Sequence, residues 1–335
     1  MTRLFTDGAE WRDWLFWDEI IHEDKDIVAG PISPWCYHQW HTDGVGMLKW
    51  FAPLSEFYMR FRIKNSDWGE SVPGENRNPD FYSDGNSVLF LCSNPMQLRT
   101  PAGILATSSY NLENNVWYLF EIYVKIDDSN GRVIAKVNDF PHIDFTGDTK
   151  YLSYSTFNKV GFGTGGAVGG DNQCWWDDLA MNDTSGSVDN SWCRNGVVEL
   201  LMPNFDGDTL EWTPITSGSH FADVDEIPND GDTTYIQTLS TATKRDMLHL
   251  FPFNDYDKVV TRIFPEARIK DVNNGLVQVK FGVKTGGNVY LSSAKTLTDA
   301  YTSKRGEDLL ANPTSGSVWD KTALDALQVV AEVQY

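Results

Sequence analysis

A chain of 335 residues with 41% hydrophobic side chains can form one large or two ordinary domains, and is too apolar to stay disordered. Its formal net charge of -20, without any basic run, argues against a phosphate-binding surface and so against direct nucleic-acid binding. No apolar run approaches the roughly 20 residues of a membrane span, so no membrane contact is expected, and Met1 to Gly8 lack the apolar stretch of a secretory signal.

The 13 Trp, 13 Tyr and 18 Phe favour strands, where aromatic side chains fit a pleated, half-buried surface. In chain order, the spacing predicts a short helix from Asp13 to Ile20, then strands over Phe57–Ile63 and Ser87–Leu91. Trp117–Ile126, the turn residues Asp127–Gly131 and Arg132–Asn138 form a hairpin signal, two period-two runs about an Asn-Gly. Phe157–Gly163 is a further strand, Thr164–Asn172 a Gly-rich loop, and Trp175–Asn182 a strand carrying two acidic residues. Asp183–Ser191 is small and polar, as linkers are.

Beyond it the β pattern restarts. Strands are expected over Gly196–Leu201, Lys258–Phe264, Leu276–Lys284 and Val289–Leu291, with turns at Pro203–Asp208 and Thr285–Asn288. Asp320 to Leu327 has helical spacing behind an Asp cap, and Gln328–Tyr335 reads as a closing strand. The expected fold is all-β, with domains over 1–185 and 196–335 joined by a linker over 186–195.

The order of the first half carries a resemblance. The long hairpin is followed by Phe140-Pro141-His142-Ile143, Val160-Gly161-Phe162-Gly163, a Gly-rich loop and Trp176-Asp177-Asp178-Leu179. It resembles the concanavalin A-like, or laminin-G-like, jelly-roll superfamily, which implies a sandwich of two sheets. The second half resembles a smaller β-rich domain of structural proteins of tailed bacteriophages. That resemblance rests on Pro203-Asn204-Phe205-Asp206-Gly207-Asp208, Trp212-Thr213-Pro214, Asp230 to Ile236, Asn312 to Trp319 and Ala323 to Val329.

The resemblance implies a virion structural protein, made in the host cytoplasm. It would decorate the capsid, form a head fibre or serve in the tail. Its partners would be major capsid or tail subunits, further copies of itself (a trimer suits a capsid or fibre) and a host-surface glycan. The alternative is a carbohydrate-binding lectin without a virion role, and a third reading is a glycan-degrading enzyme.

The chain is expected not to be an enzyme. Glycosidases need two carboxyls facing one sugar, and the jelly-roll signature Glu-x-Asp-x-x-Glu is absent, as are the Gly-x-Ser-x-Gly elbow and the Gly-rich phosphate motifs. No cofactor is expected apart from calcium, for which Asp171, Asp177 and Asp178 are the candidate ligands, with Asp43 a further carboxylate. Asp177 and Asp178 alternate on a strand, which works against a shared site. His38 and His41, three apart on a strand, face opposite ways and read as ordinary histidines. Cys36, Cys92, Cys174 and Cys193 form no Cys-x-x-Cys pair and are expected to be reduced core thiols.

An interface or a glycan platform would draw on Trp35, Trp40, Trp50, Trp68, Trp175 and Trp176. Trp175 and Trp176 are adjacent on a strand, so both cannot enter one core.

Overall fold

Period-two alternation of apolar and polar side chains produces strands almost throughout, and the two faces of each strand then decide what packs. The computed structural model describes residues 3–21, 25–31, 34–41, 46–68, 77–92, 94–163, 172–216, 218–240, 242–254, 258–272 and 277–334, without the side chains of 40, 41 and 172. The chain divides into two units, Met1–Glu199 and Leu200–Tyr335.

The strands of the first unit are β1 (Arg3–Asp7), β2 (Glu19–Ile20), β3 (Lys25–Ala29), β4 (Trp35–His41), β5 (Met47–Leu54), β6 (Glu56–Asn65), β7 (Asp80–Ser83) and β8 (Asn86–Cys92). They continue as β9 (Gln97–Thr100), β10 (Gly103–Thr107), β11 (Trp117–Lys125), β12 (Gly131–Val137), β13 (Phe140–Gly147), β14 (Phe157–Phe162) and β15 (Asn172–Asp183). An eight-stranded sheet runs β13-β12-β11-β6-β15-β4-β3, with β1 also on β15, and a seven-stranded sheet runs β10-β9-β8-β7-β14-β5-β2. All pairings are antiparallel, as expected for sheets that bury one face and leave the other outward.

Between the sheets lies one aromatic core. Phe57, Phe61 and Ile63 of β6, Phe120 of β11 and Trp176 of β15 meet Phe81, Phe157 and Phe162 of the other sheet. Phe61 stacks on Phe120 at 5.2 Å and meets the edge of Phe162 at 5.0 Å. Burying each such ring contributes about 1.5–3 kcal/mol, so the inner faces set the register. The first unit is an all-β sandwich of the broad jelly-roll type.

In the second unit the strands are β16 (Pro203–Leu210), β17 (Thr213–Pro214), β18 (Ile236–Gln237), β19 (Lys244–Leu250), β20 (Glu266–Ile269), β21 (Gln278–Thr285), β22 (Asn288–Leu291), β23 (Lys295–Thr296), β24 (Thr302–Arg305) and β25 (Gln328–Gln334). The main sheet runs β16-β19-β25-β21-β22 with β23 on β21. Its helix α1 (Lys321–Asp325) is capped by Asp320, whose Oδ1 accepts from the Ala323 N–H at 2.8 Å.

Four expected elements differ. Pro203–Asp208, expected as a turn, is the greater part of strand β16, paired with β19. The helix from Asp13 to Ile20 is a run of turns ending in β2. Its rings serve separate contacts instead: Trp14 against Tyr37, Phe16 against Phe5 and Trp17 against Phe162. Lys258–Phe264 makes two isolated bridges, Val260 to Trp319 and Ile263 to Leu309, in place of a strand. Gly196–Leu201 forms no strand, and its Val198 N–H is spent on Asp178 of the sandwich.

Candidate functional site

The outer face of the eight-stranded sheet carries a row set by register: Trp117 on β11, Lys64 on β6, Trp175 on β15, His38 on β4 and Asp26 on β3. The Lys64 ammonium lies 3.7 Å from the Trp175 ring centre, and the His38 imidazole stacks on the same indole at 4.6 Å and 8°. Because β6 and β4 flank β15 on opposite sides, both faces of Trp175 are occupied. His38 is held in turn, with Nδ1 2.9 Å from Asp26 and Nε2 3.1 Å from Gln173. A sugar stacks on a free ring face, and Trp175 offers only its edge.

Trp176 points the other way and is fully buried in the core. Trp35 packs partly buried with the Arg12 guanidinium 4.0 Å over its ring. Trp68 is buried and donates to Glu113 O at 3.1 Å. The side chain of Trp40, like Asp43, Asp171 and the Gly-rich loop up to Asp171, lies outside the described residues.

Asp178 interrupts β15 at a bulge and adopts φ 51°. Its two oxygens are taken, Oδ2 by Arg62 Nε at 2.9 Å and Oδ1 by the Val198 N–H at 2.9 Å. Burial raises its carboxyl above the ordinary range, against Arg60, the Val198 N–H and Arg62. Asp177 is also buried and accepts the Asp178 N–H through Oδ1 at 2.7 Å. Among the described residues no three His, Cys, Asp or Glu side chains gather to hold a metal ion.

The segment read from sequence as linker and domain start is held on this same face. Arg60 donates to Arg194 O at 2.9 Å, the Arg194 N–H to Glu121 at 3.2 Å, and Arg62 to Asn195 at 2.7 Å. Trp192 meets Tyr58 edge-on at 5.3 Å beneath the Lys136 ammonium at 3.8 Å.

The outward side of the seven-stranded sheet carries one exposed ring, Trp50. Trp50 of β5, Lys159 of β14, Tyr82 of β7 and Ser87 of β8 stand in one cross-strand row. The row beside it is Leu48, Gly161, Asp80, Phe90 and Arg99. Gly161 contributes no side chain between Leu48 and Asp80, both of which are buried.

The Lys159 ammonium lies between two rings, 4.4 Å from the centre of Trp50 and 4.8 Å from that of Tyr82, with Glu19 Oε1 at 4.0 Å. Glu19 also accepts from the Trp50 indole N–H at 2.6 Å, which fixes the ring's orientation. Of the row, Trp50 remains 40% exposed. On its far side β2 pairs with Met47 and Leu48, and among the described residues no strand pairs with Trp50 there; Asp18 accepts its backbone N–H at 2.7 Å instead.

Below the row, Asp80 is fully buried and accepts from Ser87 at 2.7 Å and from Arg77 at 3.2 Å. Burial lifts its carboxyl above the ordinary range, and Ser87, Arg77 and the Tyr82 hydroxyl pull it back. The arrangement can stack a ring on Trp50, whose indole is backed by the nearly buried Lys159 ammonium. Sequence reading named Trp50 alone. The alternation in Phe157-Asn158-Lys159-Val160-Gly161-Phe162 does set Lys159 against the core residues, but nothing in it shows that two rings flank the lysine.

No family model and no curated protein sequence matches the chain. Solved structures similar to it include an endo-β-1,4-glucuronan lyase from the fungus Trichoderma reesei, at 13% identity and TM-score 0.40, covering 54% of this chain and 95% of that one. Alginate lyase Aly36B is similar at 11% identity and TM-score 0.37, over 53% and 96%. The carbohydrate esterase vb_24B_21 from the Shiga toxin-encoding bacteriophage phi24B is similar at 10% and TM-score 0.38, over 54% and 97%.

The expectation that the chain is not an enzyme is therefore withdrawn, since the chains it resembles include ones named as lyases and as an esterase. The missing two-carboxylate signature bore only on glycoside hydrolysis. These likenesses are not specific to virion proteins. No described helix is long and apolar enough to cross a membrane.

Proposed function

We propose that the first unit is a carbohydrate-binding or carbohydrate-processing sandwich whose ligand face is the outer surface of the seven-stranded sheet. The observation that carries this reading is Trp50. Its indole is oriented by Glu19, backed by the Lys159 ammonium and left 40% exposed beyond the short pairing of β2 with β5. An indole face receives the C–H face of a sugar ring, and the polar tips nearby receive its hydroxyls.

This reading is preferred to subunit burial through Trp175, because His38 and Lys64 already occupy both faces of that ring. The test is titration of the full chain against cello-, xylo- and manno-oligosaccharides and alginate oligomers, with release of new chain ends followed in parallel. Trp50→Ala should weaken binding of at least one of these about tenfold; because it also takes one ring from the Lys159 ammonium, it should lower the unfolding midpoint modestly, and binding is measured well below that midpoint. Equal binding by wild type and variant, or no binding to any member, would overturn the reading.

A further inference from the structure

A second group of exposed rings lies away from Trp50, where both sheets end. β10 is the last strand of the seven-stranded sheet and β13 the last of the eight-stranded one. Tyr110, in the segment that leaves β10 for β11, meets Phe140 at the start of β13 with ring centres 4.9 Å apart and planes at 86°. Each is 49% exposed. His142 completes the group, 5.5 Å from Tyr110 and 6.1 Å from Phe140.

Single exposed hydrophobic residues need no explanation. Two large rings in contact, set at right angles and each half in water, form a corner with two free walls. The corner is also built. The Ser108 hydroxyl accepts the Tyr110 N–H at 3.0 Å, lies 3.2 Å from Tyr110 O and sits 3.2 Å from His142 Nδ1. Ser108 is itself buried, and its N–H is spent on Met96 O at 2.8 Å. One hydroxyl thereby fixes both Tyr110 and His142, and the tight Asn138-Asp139 turn, both residues at positive φ, fixes Phe140.

Two polar tips at this corner form no hydrogen bond with a described residue: the Tyr110 hydroxyl and His142 Nε2. Rings for a C–H face, with two unspent polar tips beside them, match a pyranose. Partial burial lowers the His142 pKa, which keeps the imidazole neutral near pH 7. The charged residue next to Phe140 in the hairpin is Asp139, an anion. Both features favour an uncharged ligand over a uronate.

We infer that Tyr110, Phe140 and His142 form a second glycan site, at the edge of the sandwich, which takes a neutral pyranose of an oligosaccharide. It rests on different residues from the Trp50 face and would make binding to a polysaccharide bivalent. Linking two weak sites raises the overall affinity without any new contact.

The test uses the full chain and four neutral probes, cellohexaose, xylohexaose, mannohexaose and maltohexaose. Calorimetry is combined with the ring signals of His142 by NMR. In a Trp50→Ala background at least one probe should still bind and shift the His142 signals. Tyr110→Ala or Phe140→Ala should weaken that remaining binding about tenfold, with the unfolding midpoint unchanged as expected for exposed positions. Tyr110→Phe, which keeps the ring, should retain most of it.

Binding abolished by Trp50→Ala and untouched by Tyr110→Ala and Phe140→Ala would overturn this inference and leave the Trp50 reading standing. Binding of alginate oligomers alone, with none of the neutral probes, would overturn it as well. Binding lost in the Tyr110 and Phe140 variants and untouched in Trp50→Ala would support this site and overturn the other.

Discussion

Arg62 and Asp178 form an ion pair at 2.9 Å between neighbouring strands of the eight-stranded sheet, with the aspartate fully buried and the arginine side chain 11% exposed. The other carboxylate oxygen of Asp178 holds the Val198 N–H, and its carbonyl accepts from Arg60. One residue at positive φ thus ties β15 to β6 and fastens the segment that follows β15.

Removing Asp178 should therefore do more than delete one contact. Asp178→Ala leaves Arg62 without its carboxylate partner and the Val198 N–H without an acceptor, while the carbonyl that Arg60 bonds remains. Loss of one partner from a buried pair costs about 3–5 kcal/mol. The first unit is expected to lose about that much in denaturant unfolding. Amide exchange at Arg194 to Val198 should accelerate beyond the global loss, and an unchanged exchange rate there would contradict the fastening role.

Lys159 is expected to hold the Trp50 face together. Its ammonium interacts with two rings while 7% exposed, and a largely desolvated cation–π contact is worth about 2 kcal/mol. Lys159→Ala should lower stability by about 1–2 kcal/mol and weaken any ligand that depends on Trp50. Lys159→Arg should keep most of both. Thermal unfolding and the oligosaccharide titrations measure the two effects separately.

The cysteines should resist alkylation in the folded protein. Burial pushes the Cys36 thiol up to about 12 and Cys193 to about 11, and Cys174 well above its ordinary value. The thiolate is the reactive form, so near pH 8 its fraction at Cys36 and Cys193 is about one in a thousand or less, and burial suppresses it at Cys174 as well. Iodoacetamide followed by mass spectrometry should find these three unmodified in the native chain and modified after unfolding. Rapid native labelling of Cys36 would show that its surroundings open readily.

In the second unit, Asp246 is buried and accepts from the Glu211 and Trp212 N–H groups and from His220, whose Nδ1 lies 2.7 Å away. Burial nevertheless raises its carboxyl above the ordinary range. The folded state then binds the proton more tightly than the unfolded one. Its contribution to stability is complete below the unfolded value of about 3.9 and is lost as pH rises through the folded value. The difference in stability between wild type and Asp246→Asn should follow that course. A difference that stays flat, or grows with pH, would refute the assignment.

Alternation along the chain was enough to place Trp175 and Trp176 on opposite faces and to draw the β11–β12 hairpin, because strand geometry is local and its period is two. Asp320 as a helix cap was legible for the same reason. The turns from Asp13 to Phe16 were not. Their rings repeat at helical spacing, yet Tyr37, Phe5 and Phe162 claim them one by one, and packing overrides a weak local preference. Which tryptophan stays open was likewise undecidable. Trp175 is closed by Lys64 and His38, and Trp50 is left open at a strand edge, because pairing brings together strands far apart in sequence. What the sequence determined by itself is the all-β class and the face of each side chain. Only the tertiary structure decided which faces meet, and so set Lys159 between Trp50 and Tyr82 and brought Tyr110 to Phe140, because those contacts depend on long-range register.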